Sequence, residues 1–413
     1  MNDKEVITNF IRDGETDRQR IGLELEHFVL NEMEESIEFD VLSELIRTTG
    51  EKLGARLISA EGKVVGYDTG EYTVSVEPSC QFEISIAPFS SIRKIEKVYG
   101  EFRKVWDSVL RSIGFSLVTG GLNPAVEAGR IHPMDLALIP KNRYYFMDRY
   151  FRETGKYGRH MMRASASTQI SLDYASEEDM VRKLRLLTIL SPVLMQMMEN
   201  KFYSDSRLAE RKGKHLLRTQ VWEDLDPDRT GFFPGAFHGR FGYEAYADLL
   251  LSRPLVVLTD QGVTTYAGEK KLGDILSLSE LAEEPERQKA LVEHLLSMFF
   301  HHIRLKRYLE VRVADSVPIP KALGYAALLK GLFYSEKNLD RLEKLLSGHL
   351  IDVEEAVFRT EIQGENAVIY AGKRVHAWAK DLIRLAEKAL PEEEKKWLSE
   401  FGTESEGKKR TAG

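Results

Sequence analysis

The string IGLELEHFVL (residues 21–30) alternates with a period of two, and both of its glutamates fall in the same phase. Successive side chains of a β-strand point to opposite faces. Ile21, Leu23 and Leu25 would therefore share one face, and Gly22, Glu24, Glu26 and Phe28 the other. Along a strand, Glu24 and Glu26 stand roughly 7 Å apart. A strand with one apolar and one acidic face belongs in a sheet whose two sides meet different surroundings.

Three more segments repeat the plan. In Gln81–Ile86, Phe82, Ile84 and Ile86 oppose Gln81, Glu83 and Ser85, and Glu77 stands just upstream, before Pro78. In Lys306–Val313, Leu305, Leu309, Val311 and Val313 oppose Lys306, Tyr308, Glu310 and Arg312. In Arg163–Tyr174, Ile170 and Leu172 oppose Ser165, Ser167, Gln169, Ser171 and Asp173. One such strand is explained by a polar face turned to water. Four of them, from distant parts of the chain, with carboxylate, Gln, Ser and Arg on the polar side, point to a shared face. Glu24, Glu26, Glu77, Glu83 and Glu310 would converge there and repel one another unless cations neutralise them. Oxygen ligands of this kind suit Mg²⁺ or Mn²⁺, ions that commonly hold phosphates. The residues alone thus suggest a sheet face that binds Mg²⁺ and a nucleotide.

Further strands are expected at 56–65, 72–76, 115–119 and 255–258. Helices are expected at 38–53, 90–113, 177–201 (with Pro192 kinking or interrupting it), 279–303, 320–347 and 373–400. In the second of these, Ser90 or Ser91 can cap the start and Gly114 the end. The elements follow no regular βαβ rhythm. The expected fold class is therefore α+β, a curved and mainly antiparallel sheet with helices on its outer side. Because its strands span residues 20 to 313, the expectation is one catalytic domain over 1–400 and a polar tail over 401–413.

Composition removes several function classes. Acidic residues outnumber basic ones, 65 to 58, which argues against a general partner role with nucleic acid or anionic membrane. Cys80 is the only cysteine, so an internal disulfide and a cysteine-cluster metal site are excluded. The start, MNDKEVITNFIRDGE, has no basic opening and no apolar run, and the longest apolar stretch, Leu187–Met198, is too short for a bilayer. A cytoplasmic location is the resulting expectation.

The same strings resemble the plant-type branch of glutamate–cysteine ligase. IGLELEHF (21–28) is similar to its Gly-x-Glu-x-Glu strand, VEPSCQFEISIAP (76–88) to its Glu-Pro-Gly-Gly-Gln-Phe-Glu-Leu-Ser segment, and IPKNRYYFMDRYF (139–151) to its Pro-Lys-x-Arg-Tyr segment. GRHMMRASASTQISLDY (158–174), VWEDLDPDRTGFFP (221–234), FGYEAYADLLLSRPL (241–255) and RLKRYLEVRVAD (304–315) follow in the family's order. The resemblance implies a glutamine-synthetase-like fold and ATP-dependent amide formation, the first step of glutathione biosynthesis. ATP would phosphorylate the γ-carboxylate of L-glutamate, and the amine of L-cysteine would displace phosphate. It implies Glu24, Glu26, Glu77, Glu83 and Glu310 as Mg²⁺ ligands and Arg312 at the phosphate oxygens. Lys306 would touch ATP phosphates, and Arg143, Gln169, Arg218, Trp222 and Arg229 would grip the amino-acid substrates.

There are departures. The family's Gly-Gly is Ser79-Cys80, its Arg-Thr-Cys-Thr run is Ala164-Ser165-Ala166-Ser167 with Arg163 one place earlier, and its Gly-Ala-Asp-Gly-Gly-Pro run is Val313–Pro318. They touch the substrate side more than the metal signature. A different amine acceptor, or a binding protein without turnover, are the alternatives. His27 is expected on the apolar face as a buried histidine, and His294, His301 and His302 as ordinary surface or core residues. Gly120-Gly121 reads as a turn, because the Gly-Lys-Ser/Thr of a phosphate loop is missing.

Overall fold

The computed structural model describes residues 2–203, 214–237 and 239–402. Its centre is strand β1 (Ile21–Asn31). The flanking strands are β2 (Arg56–Ala60), β3 (Lys63–Asp68), β4 (Tyr72–Val76), β5 (Phe82–Phe89), β6 (Phe115–Val118) and β7 (Ser167–Leu172). A separate hairpin, β8 (Val256–Asp260) and β9 (Val263–Gly268), comes later, followed by β10 (Ile303–Leu305) and β11 (Leu309–Asp315). Nine strands form one sheet in the order β10-β11-β7-β1-β5-β4-β3-β2, with β6 paired to the far end of β1. Every pairing in it is antiparallel.

The alternation anticipated for β1 is realised. Ile21, Leu23 and Leu25 are fully buried with Phe82, Ile84, Ile170, Leu172, Leu309 and Val311. Helix Ile92–Arg111 covers part of this apolar face, burying Ile95, Tyr99, Phe102 and Trp106 at three- and four-residue steps. Trp106 meets Phe82 edge-on at 4.5 Å, and its indole N–H donates to Tyr67 Oη at 2.8 Å. His27 lies on this side as expected, with its ring nitrogens 3.1 Å from Phe82 O and 2.9 Å from Tyr99 Oη. Burial holds its pKa down, at about 3. The helix start differs from expectation: Ser91 makes no side-chain cap, and the Ile92 N–H is taken by Glu394 Oε1 instead. Gly114 does turn the chain beyond the helix, at φ +79°.

Three segments are divided more finely than the alternation suggested. Residues 56–65 hold a hairpin turn at Glu61-Gly62, both at positive φ, between β2 and β3. Arg163 lies in the last turn of helix Gly158–Ala164, and β7 begins only at Ser167. Lys306 to Tyr308 form the turn between β10 and β11. Helix Glu177–Met197 runs through Pro192 as one element. Residues 403–413 of the anticipated tail lie outside the described residues. Gly121 is a true requirement of space, since a Cβ there would stand 2.5 Å from the Asp315 carboxylate.

Candidate active site

The register carries the acids to neighbouring places. Glu24 pairs with Ser85 of β5 on one side and Gln169 of β7 on the other. Glu26 pairs directly with Glu83. Glu310 pairs with Ser171 and with Arg304. The polar face so formed is the floor of a cavity of about 930 Å³. Glu24, Glu26, Glu77 and Glu83 line it, and so do Lys306, Arg312, Arg143, Gln169, Arg218 and Trp222.

Like charges placed directly opposite in a sheet repel, and the acids show it. Burial, together with Glu310, raises the Glu24 carboxyl. Burial and Glu77 push Glu26 up to about 7, against the pull of Arg218 and Arg312. Burial and then Glu24, Glu77 and Glu26 push Glu83 well above the carboxylate range. Glu26 accepts from the Ser167 N–H at 2.6 Å and from Gln169 Nε2 at 3.3 Å. Glu83 accepts from the Ser75 and Ser85 hydroxyls at 3.1 and 2.9 Å. These donors are neutral, so Glu26 and Glu83 are hydrogen-bonded without being directly ion-paired.

Among the described residues no three carboxylate, histidine or cysteine side chains are grouped to cage a metal ion by themselves. Mg²⁺ does not need such a cage, because it keeps several waters and is usually held by one or two carboxylates together with substrate phosphates. The raised carboxylates Glu24, Glu26 and Glu83 fit that mode of binding.

Glu310 is placed differently from the other acids. It is fully buried and does not line the cavity. Its Oε1 takes Lys306 Nζ at 2.8 Å, and its Oε2 takes Arg304 Nε at 2.6 Å and an Arg312 N–H at 2.9 Å. Burial works to raise this carboxyl, but the three cations outweigh it and hold Glu310 far below the usual range. Instead of facing a metal as the resemblance implied, both of its oxygens are engaged by side-chain cations.

Arg312 also donates to Gln169 Oε1. The guanidinium carbons of Arg218 and Arg312 lie over the Trp222 ring at 5.7 and 5.8 Å. Arg218 donates to Arg312 O at 3.2 Å. Arg143 is braced against helix Pro285–Ser297, donating to Ser297 Oγ at 3.1 Å.

Arg229 is the residue that the structure sets apart. The resemblance implied that it grips an amino-acid substrate, yet its side chain is fully buried. Its guanidinium sits 3.1 Å from Asp226 and donates to the carbonyls of Met298 and Pro254. It is a packing arginine and does not line the cavity. Arg229→Met should therefore lower folding stability by about 3–5 kcal/mol, since it leaves Asp226 buried and unpaired. Urea unfolding would measure this, and the KM for glutamate should stay within about two-fold of the parent, the change expected where no substrate contact is lost.

Some wall residues were not foreseen. Tyr144 donates to Glu77 at 3.3 Å, and Lys141 lies over the Tyr144 ring at 4.7 Å. Both belong to the Pro-Lys-x-Arg-Tyr string, so their neighbourhood with Arg143 was a usable signal. Thr259 and Thr264 of the β8–β9 hairpin and His294 also line the cavity, and nothing in their local sequence announces it. His294 is buried against Val257 O at 2.8 Å, and burial holds its pKa down, at about 4. Cys80 adopts φ +63°, a left-handed conformation that glycine takes without strain, which accounts for glycine at this place in the resembled family. Burial pushes its thiol up to about 12, out of the range of a ready nucleophile.

Comparison with known proteins agrees with this geometry. A chloroplastic glutamate–cysteine ligase of Medicago truncatula is 27% identical over 379 residues, 91% of this chain and 72% of that protein. A chloroplastic glutamate–cysteine ligase B of Oryza sativa is 28% identical over 331 residues, 79% of this chain and 65% of that protein. A crystal structure of glutamate–cysteine ligase from Francisella tularensis, in complex with AMP, superposes with a TM-score of 0.52 at 15% identity. It covers 94% of this chain and 82% of that one, which places the fold in the glutamine-synthetase-like class. The expected cytoplasmic location is overturned: these plant relatives are chloroplastic. Among the described residues no helix is long and apolar enough to cross a membrane. The model of glutamate-cysteine ligase family 2 matches residues 20–402, and with the sheet, the acid floor and the cation wall in their places, this chain belongs to that family.

Proposed function

We propose that the chain joins the γ-carboxyl of L-glutamate to the amine of L-cysteine at the expense of ATP, through a γ-glutamyl phosphate. The observation that carries this reading is the juxtaposition on one sheet face. The acids Glu24, Glu26 and Glu83 stand beside the cations Lys306 and Arg312 in a single cavity. Acids alone suit a metal, and cations alone suit an anion; the two together suit a polyphosphate that arrives with its metal. Nucleotide use by a relative, the AMP complex of the Francisella tularensis enzyme, is consistent with it.

In this reading Glu24, Glu26, Glu77 and Glu83 hold Mg²⁺. The metal supplies neutralisation of the phosphate oxygens during transfer. Arg312 presents a planar fork to the transferring phosphoryl group, suited to its oxygens in a way that a point charge is not. Arg143 and Arg218 offer guanidinium groups to substrate carboxylates, and Gln169 fixes Arg312 from the neighbouring strand. Strands as far apart in the chain as β1, β5, β7, β10 and β11 contribute, so the site is complete only within one catalytic domain, which we place over residues 1–400.

The test is phosphate release with ATP, Mg²⁺, glutamate and a panel of amino acids. Cysteine should give the signal. A signal with another amine and none with cysteine would reject cysteine as acceptor, the outcome to which the departures at Ser79-Cys80 and Ala164–Ser167 would lead.

A second expectation concerns pH. Glu26 has a folded-state pKa of about 7, above its ordinary value of 4.5. Its contribution to stability is present below about 4.5 and is lost as pH rises through about 7, because the ionised form is the disfavoured one. Mg²⁺ binds the ionised form. Adding Mg²⁺ should therefore raise the thermal midpoint more at pH 8 than at pH 6. An equal shift at both would separate these acids from the metal.

A further inference from the structure

We propose that Arg304 is a phosphate-binding residue for the nucleotide, held in place by Glu310; this rests on the nucleotide-dependent reading above. Arg304 is buried on the edge strand β10, in register with Glu310, and reaches the cavity wall. Its Nε and one Nη lie 2.6 and 2.5 Å from Glu310 Oε2, and its other Nη donates to Phe299 O at 3.0 Å.

The charge count is the first argument. One buried carboxylate needs one cation, yet Glu310 holds Arg304, Lys306 and Arg312. Glu24 and Glu26 act on these cations only across the floor, so around Glu310 itself three cations share the one carboxylate they are bonded to. Surplus charge away from water is costly unless it is matched. All three cations line the cavity, so the matching charge is placed there by the geometry.

The donor count is the second argument. A guanidinium has five N–H groups. The contacts of Arg304 account for three of them, which leaves two. Lys306 spends two of its three on Glu310 and Tyr308 Oη. Arg312 spends one Nη on Glu310 and Gln169, leaving its Nε and second Nη. The spare donors belong to side chains already ordered by one shared carboxylate. Phosphate oxygens are the ligands that such preset forks match best, and little ordering remains to be done on binding.

The experiment is calorimetric titration of the full chain with ADP and, separately, adenosine, at one saturating Mg²⁺ concentration for every chain so that the metal contributes equally. The chains are the parent, Arg304→Met, Arg304→Lys and, as a control, Arg149→Met, whose exposed arginine lies over the Tyr266 ring instead. Arg304→Met should weaken ADP by roughly ten- to a hundred-fold, the loss of one or two charge-assisted hydrogen bonds. Adenosine should change less than about two-fold, a difference too small for a lost hydrogen bond. Arg304→Lys should fall between parent and Met, and Arg149→Met should match the parent. ADP affinity in Arg304→Met equal to the parent, with an unchanged near-ultraviolet spectrum, would overturn the assignment. If Arg304→Met does not fold, parental ADP affinity in Arg304→Lys would overturn it. A parent chain that binds no ADP would instead overturn the nucleotide reading itself.

Discussion

Glu310→Gln is expected to lower turnover by roughly 10²–10³-fold and the thermal midpoint by about 5 °C. The carboxylate is fully buried and is the common partner of Arg304, Lys306 and Arg312. Glutamine has almost the same shape but no charge. Three cations would then be left around a neutral amide that also offers donors where Glu310 offered acceptors. Removing one partner of a buried ion pair costs about 3–5 kcal/mol, most of it the cost of the charges left behind. The surviving cations would turn toward water or toward the acids of the floor, and the preset arrangement would be lost. Steady-state phosphate release and a thermal scan on the same preparation test both halves. A stable, fully active Glu310→Gln protein would remove this carboxylate from the working site.

Arg312→Lys is expected to lower kcat by about 10²–10³-fold, equivalent to about 2.7–4 kcal/mol of transition-state stabilisation. Arg312 does several things with one rigid group. It bonds Glu310, bonds Gln169 on the next strand, and lies over Trp222. A lysine ammonium keeps the charge, but it has no plane to lay over the indole and cannot reach these partners and a phosphoryl oxygen together. The expected signature is a fall in kcat with a small change in the KM for glutamate, which marks an interaction made mainly in the transition state. A near-parental kcat would assign the arginine to structure.

The part of the fold that was legible is the part ruled by strand parity. Glu24, Glu26 and Glu83 could be placed on one face because period two admits no other arrangement once Leu23, Leu25 and Ile84 are inside. Glu77 and Gln169 followed from the same strings. The burial of Arg229 was hidden because its partners, the Met298 and Pro254 carbonyls, come from remote parts of the chain, which its local sequence does not announce. The pinning of Glu310 was hidden for a related reason. Arg304 and Lys306 stand two residues apart in the sequence, but the turn that folds β10 back onto β11 decides that both address one carboxylate. The β8–β9 hairpin reached the cavity unannounced, since its own alternation describes only its pairing with itself.

The central strand has a consequence for how this chain tolerates change. β1 is held on both sides, by β5 and by β7, and its acids are interleaved with the residues that form the core. A single deletion between Leu23 and Leu25 would exchange the two faces downstream of it, driving Glu26 into the hydrophobic layer and exposing Leu25 to the cavity. The product would be an unfolded chain rather than a folded, inactive one. Insertions and deletions compatible with a stable protein are therefore confined to places such as the Glu61-Gly62 and Gln261-Gly262 hairpin tips, which both border the cavity. The molecule can remodel the rim of its site while the floor admits only substitutions.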